Sequence, residues 1–167
     1  MTPTEQFDDV IAACWLQEES QWFASLNGKG WLTFTLPPEH GGCDWRRDTR
    51  LEFIHKMAAA GCPLLPASVT RIAPVIAAAG TPSQIDRLDD IRSRPLDWHI
   101  NDSATDADRM LAIRSDEAGQ SLYLEGERLG PPGYAEQLLA TTVDAVHLIF
   151  ELALTLDLTE TMHVYWD

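Results

Sequence analysis

Positive charge is what this sequence has least of. Against 26 Asp and Glu it carries only 12 Lys and Arg, a formal net charge of −14. Nucleic-acid binding needs clustered Lys and Arg on phosphates, and an anionic membrane surface needs the same, so the charge argues against both partners. Cysteine is scarce too. Cys14, Cys43 and Cys62 are widely spaced and odd in number, with no CxxC pair and no His/Cys cluster. A zinc site and a disulfide framework are both unsupported, and no metal ligands are expected. No apolar run is long enough to span a bilayer, and the first residues hold neither a basic region nor the apolar core of a signal peptide. A reduced, cytoplasmic setting is the resulting expectation. Internal repeats and low-complexity tracts are also missing, and the acidity itself reads as a solubility device.

What is present is an apolar fraction of 45% in 167 residues, enough for one ordinary domain or two small ones with a real core. The most informative stretch is 28–42. Gly28 and Gly30 can take positive φ and end a helix. An apolar run then leads to Pro37 and Pro38, which fix the chain, and to Gly41 and Gly42, which let it reverse. Glu39 and His40 beside that turn read as turn residues rather than an acid–base pair.

Helical patterns flank this connector. Thr4 can cap a first helix with Phe7, Val10, Ile11 and Cys14 at helical spacing. Trp15, Trp22 and Leu26 continue its apolar surface, Glu18 to Gln21 form a solvated face, and the helix ends near Asn27 and Gly28. A second helix starts at Asp44 or Asp48, carries Leu51, Ile54, His55, Ala58 and Ala59 on one face, and stops at Gly61; His55 reads as a core histidine. A third, over 67–79, contains Pro74, so a kink or break is expected there. Thr81 and Pro82 start a fourth, with Ile85, Leu88 and Ile91 inward and Asp86, Arg87, Asp89, Asp90 and Arg92 outward.

The texture changes near Arg94 and Pro95. Short β-like segments follow at 96–100, 110–114, 121–125, 137–142, 146–152 and 161–166. Asp116 to Gly119 reads as a hairpin turn and Gly130 to Gly133 as a loop. The expected fold class is α+β: an N-terminal α-helical bundle over 1–95, then a small antiparallel β-barrel-like domain over 96–167.

The order of these features resembles the acyl-CoA dehydrogenase family. Trp31 after Gly30, then Pro37, Pro38, Glu39, Gly41 and Gly42, match its G-W…P-E-x-G-G step. Gly61 with Pro63, Pro74, and Gly80, Thr81 with Gln84 match the A-G-x-P and P…G-T-x-x-Q steps. Trp98 stands where the family has a W-containing first strand. Leu124 to Leu129 resembles its L-x-G-x-K strand and turn, and Ala135 to Leu139 its A-D-x-L-L strand. The resemblance implies a helical domain followed by a β-domain, with FAD and acyl-CoA as ligands and a role in fatty acid metabolism.

The departures from the family pattern matter as much. The family's flavin and substrate lie against a C-terminal helical domain that supplies the catalytic carboxylate, and the resemblance stops short of that domain. The Ser-Glu-Pro-Gly-x-Gly-Ser loop is replaced by Ile100, Asn101, Asp102, Ser103, Ala104, Thr105 and Asp106. The flavin-contacting Trp is replaced by Leu129. No catalytic residue is therefore assigned. The positions that the resemblance implies for cofactor binding are Trp98, Ile100, Asn101, Ser103 and Leu129, and His99, Asn101, Asp102 and Ser103 could otherwise form an ordinary polar loop. Trp15, Trp22, Trp31, Trp45 and Trp98 read as core or interface anchors, and Trp166 as a contact for a second chain.

The expected function is an acyl-CoA dehydrogenase-like protein without activity alone, a binding or partner subunit in a homo- or hetero-oligomer with an acyl-CoA dehydrogenase-like chain. The departures argue against FAD being held by the isolated chain. One alternative is a flavin-dependent half-subunit active only in a heteromer. A second, from another class, is a small acidic secretion-chaperone-like binding protein.

Overall fold

The computed structural model describes residues 2–101 and 107–142. Its first helix, α1, runs Pro3–Ala12. Pro3 sits at the first turn, where a missing N–H costs nothing, and the Glu5 carboxylate accepts from the Thr2 backbone N–H at 2.5 Å. The single long helix expected to run on to Gly28 is two helices. A 3₁₀ turn at Cys14–Leu16 separates α1 from α2, Glu19–Gly28. The reason is local: Gln21 Oε1 accepts from the Glu18 N–H at 3.2 Å, so the polar run read as a solvated face is a second helix start.

The 28–42 connector is a chain of turns. Gly30 takes φ +75° and Trp31 N–H returns to the Leu26 carbonyl at 2.9 Å, ending α2. Trp31, Leu32, Phe34 and Leu36 are all buried. Pro38–His40 forms a 3₁₀ turn and Gly41 takes φ +86°. A Cβ on Gly42 would lie 1.5 Å from the Leu36 carbonyl oxygen, so this crossing admits no side chain. Helix α3, Arg47–Ala59, follows.

Around Phe7 the aromatic rings close into one cluster. Phe7 and Phe53 stand 4.9 Å apart, Phe7 and Trp31 5.4 Å edge to face, and Phe34 and Phe53 5.3 Å edge to face. Trp45 joins them at 5.3 Å from Phe53. Each such pair contributes about 0.5–1.5 kcal/mol beyond the area it buries.

The irregularity expected at Pro74 is a π turn over Ser68–Ile72 that leads into α4, Ala73–Ala79. Ala73 N–H reaches back to Ser68 O, and the widened turn accommodates a proline that can donate no bond of its own. The fourth expected helix is also split, into α5, Pro82–Ile85, and α6, Leu88–Ser93. Thr81 and Gln84 cap each other reciprocally: Gln84 N–H donates to Thr81 Oγ1 at 3.3 Å and Thr81 N–H to Gln84 Oε1 at 3.0 Å. Leu88 and Ile91 are buried as expected, while Ile85 is half-buried.

Among the described residues the sheet holds four strands in the order β1–β2–β3–β4: His99–Asn101, Met110–Asp116, Gly119–Leu124 and Glu127–Leu129. The hairpin turn expected at 116–119 joins β2 and β3, with Asp116 paired to Gly119. β1 runs parallel to β2; the other pairs are antiparallel. Among the described residues the fold is mixed α and β, and their sheet, with its parallel β1–β2 pair, is open and is not the antiparallel barrel-like arrangement expected.

Segment 137–142, expected as a strand, belongs to α7, Ala135–Thr142. Ala, Glu, Gln and Leu favour helix, and Leu138 and Leu139 pack on the core from one side of it. The segments at 146–152 and 161–166, and Trp166, lie outside the described residues. Buried side chains from both sides of residue 95 join one apolar cluster, in which Leu111, Leu122, Leu124 and Leu129 meet the helices.

Candidate functional site

The richest polar constellation lies where the helices meet the sheet. Arg87 precedes α6 and Asp90 lies on it, one turn apart. Arg109 leads into β2 and Glu125 follows β3. Arg87 Nε donates to Glu125 Oε1 at 2.6 Å and its Nη2 to Oε2 at 3.1 Å. Arg109 Nε donates to Asp90 Oδ2 at 2.8 Å, and its backbone N–H donates to Glu125 Oε2 at 3.1 Å. Trp98 Nε1 donates to Asp90 Oδ2 at 2.9 Å, and the Arg87 guanidinium lies 5.3 Å from the Trp98 ring centre.

Two residues of this joint hold a left-handed backbone without being glycine: Arg109 at φ +54° and Glu125 at φ +50°. That conformation is strained for long side chains and persists only where surroundings hold it. Here the Glu125 N–H donates to Met110 O at 2.9 Å, and His99 N–H to Arg109 O at 3.0 Å. Gln84 adds a further tie, its side-chain amide donating to Arg128 O at 3.1 Å.

The electrostatics follow from these bonds. The Arg109 hydrogen bond, with help from Trp98, holds the Asp90 carboxyl below the usual carboxylate range, and burial opposes this. The Glu125 hydrogen bond holds the Arg87 guanidinium above its ordinary value. Arginine donors occupy both carboxylates of the joint.

A second cluster lies beyond the hairpin. The Ser121 hydroxyl donates to Asp116 Oδ2 at 2.6 Å and accepts from the Gly133 N–H at 2.7 Å. Tyr123 stands between the Arg114 and Arg128 guanidinium groups, at 4.9 and 5.8 Å from its ring centre. The Ser121 bond holds the Asp116 carboxyl low. Ser121 is fully buried and its oxygen is committed on both sides, so this cluster staples the loop at Gly133 to the sheet. Among the described residues no three His, Cys, Asp or Glu side chains gather as a metal site would require.

Of the residues expected at a cofactor site, Trp98, Ile100 and Asn101 lie together at β1, and Leu129 lies apart from them on β4. Trp98 is buried, with its indole N–H spent on Asp90. Leu129 is fully buried on β4. β1 and β4 occupy opposite edges of the sheet, three strand spacings or about 14 Å apart. Ile100 and Asn101 on β1 keep partial exposure. Asp102 and Ser103 lie outside the described residues. Trp98 and Leu129 therefore offer no free face on which an isoalloxazine ring could rest, and the described residues do not fit FAD in the way the resemblance implies.

Three comparisons, with family models, curated proteins and solved structures, found no match to this chain.

Sequence reasoning read Arg87, Asp90 and Arg92 as solvent-facing, and the structure turns all three to use. Arg92 Nη1 donates to His40 O at 2.9 Å, tying α6 to the Pro-Pro turn. The available signal was the i,i+3 spacing of Arg87 and Asp90, whose charged atoms stand 3.6 Å apart. Trp15, read as part of the apolar surface of one long helix, is 69% exposed, because the chain leaves α1 just before it. Glu39 is exposed and His40 half-buried, and His40 contributes a backbone carbonyl to the turn, as a turn residue should.

Proposed function

We propose that this chain is an acyl-CoA dehydrogenase-like binding or partner subunit that works within a larger complex of that type and performs no dehydrogenation alone. One observation carries the reading: the two carboxylates at the helix–sheet joint, Asp90 and Glu125, are occupied by Arg109, Trp98 and Arg87. A base that removes a proton needs a free lone pair aimed at the substrate. These carboxylates instead lock two layers together. The resemblance supplies the kind of complex, and the burial of Trp98 and Leu129 supports a chain that leaves flavin chemistry to its partner.

The test has two arms. In the first, FAD fluorescence is followed as the purified chain is added, and no saturable quenching is expected. Stoichiometric quenching, or a yellow protein on purification, overturns the non-catalytic half of the reading. In the second, the chain is mixed with an acyl-CoA dehydrogenase-type chain encoded in a neighbouring reading frame. A complex seen by light scattering is expected, and two separate species would sink the partner half.

A further inference from the structure

The surface at Trp15 and Leu16 has no use in the helix–sheet joint, and it is unlike the rest of the helical layer. In the 3₁₀ turn Cys14–Leu16, Cys14 is buried, yet Trp15 is 69% and Leu16 85% exposed. The turn is tied to the end of α1 by Leu16 N–H, which donates to Ala13 O at 3.1 Å. The Trp15 indole is also fixed: its Nε1 donates to Ala60 O at 2.5 Å. Gly61, at φ +68°, leaves the space the ring needs, because a Cβ there would lie 2.9 Å from Trp15 Cζ2. An exposed tryptophan held in one orientation has already lost the freedom that binding would otherwise take from it.

Beside it α1 and α3 enclose a shallow groove of about 380 Å³, lined by Asp8, Ile11, Ala12, Lys56, Ala59 and Ala60. The small side chains of Ala12, Ala59 and Ala60 leave room for another chain to approach closely. Charge decides what that chain is. Lys56, the basic residue of the groove, is already bound to Asp8 at 2.6 Å and lies 4.0 Å from Glu52. Asp9, Glu18 and Glu19 stand exposed on the adjoining turns, in a chain of net charge −14.

We propose that the Trp15–Leu16 turn and the adjoining α1–α3 groove dock an amphipathic segment of a partner chain, apolar on its contact face and flanked by Lys or Arg. A second copy would set Asp9, Glu18 and Glu19 against acidic counterparts, and an anionic lipid surface meets the same repulsion. The inference deepens the reading of a partner subunit and rests on it for the kind of chain that docks.

The probe is a dye-labelled amphipathic peptide with leucines on one face and lysines on the other, followed by fluorescence anisotropy against the full chain. Saturable binding is expected, weakening about tenfold in Leu16→Ser and in Trp15→Ala, the loss of one interface anchor. Leu16→Ser removes an almost fully exposed side chain, so an unchanged thermal melt keeps it informative if Trp15→Ala fails to fold. A matching peptide with glutamates in place of lysines is expected not to bind. The proposal is overturned if Leu16→Ser binds like the parent, if a lysine peptide with its leucines scrambled binds equally well, or if the chain is a dimer that Leu16→Lys dissolves. The same Leu16→Lys variant separates the two readings. If it assembles normally with the acyl-CoA dehydrogenase-type chain, the surface is wrong and the partner reading stands. If the peptide binds through Leu16 while no such chain assembles, the surface stands and the partner reading falls.

Discussion

The indole N–H of Trp98 donates to the Asp90 carboxylate at 2.9 Å, and that one bond ties the entry of the sheet to α6. Asp90 accepts from Arg109 on the same oxygen, so one carboxylate joins a helix, the first-strand entry and the second strand. Replacing it leaves Arg109 and Trp98 without their acceptor. Asp90→Ala is expected to cost about 2 kcal/mol, the range for hydrogen bonds to a charged group that leave a donor stranded. Urea unfolding measures this as a fall in midpoint at constant slope. Trp98→Phe removes that donor and part of the buried indole, and its expected loss is about 2–3 kcal/mol.

Acid weakens this joint and the cluster beyond the hairpin. Asp90 and Asp116 both have carboxyl pKa values held below those of the unfolded chain, through Arg109 and Ser121 respectively. Depressed carboxylates contribute stability that is fully present above the unfolded value, about 4, and is lost as pH falls through the folded values. Thermal melts between pH 7 and pH 5 should therefore change little on their account. Melts below about pH 4 should fall, and Asp90→Asn should flatten that fall.

The two glycines at the ends of the 28–42 connector should respond oppositely to alanine. A Cβ on Gly42 meets the Leu36 carbonyl oxygen at 1.5 Å, so backbone must move; Gly42→Ala is expected to lose about 3 kcal/mol or to fail to fold. At Gly28, the last residue of α2, nothing lies within 4 Å of the built Cβ. Gly28→Ala should be neutral or stabilise by up to about 1 kcal/mol, from helix propensity. Denaturant midpoints of the two variants decide it, and equal losses would contradict the crossing described above.

Thiol chemistry should be slow. Burial pushes the Cys43 thiol up to about 11, and burial together with the neighbouring Cys14 pushes Cys62 up further. At pH 8 only about one Cys43 in a thousand is then thiolate, the reactive form. Cys43, half-buried, should label first with a thiol reagent, and Cys14 and Cys62, both buried, only after denaturant is added. Rapid labelling of all three thiols in buffer would show that the helical core is not closed.

The features legible in the sequence are those whose physics is short-ranged. The Thr81, Pro82 and Gln84 cap, the hairpin turn at Asp116 to Gly119, the disturbance before Pro74 and the reversal at Gly41 and Gly42 were each legible, because a cap, a proline or a positive-φ glycine acts within a few residues. The break between α1 and α2 was legible too, in Glu18 and Gln21, but the apolar pattern running through Trp15 masked it. The helix at Ala135–Thr142 shows the opposite failure: an apolar pair in a short segment fits either period, and packing against the core chose helix.

The sequence by itself determined an acidic chain with a helical first half, a β-rich continuation, and turns placed by glycine and proline. Tertiary structure alone decided which distant charges meet. Arg87 and Glu125 are 38 positions apart, and Asp90 and Arg109 are 19 apart, and no local pattern couples such pairs. It also decided that Trp98 and Leu129 go inside while Trp15 stays outside. The physical reason is the same in each case: propensity and capping act along the chain, whereas burial and ion pairing depend on surfaces that exist only once the layers have packed.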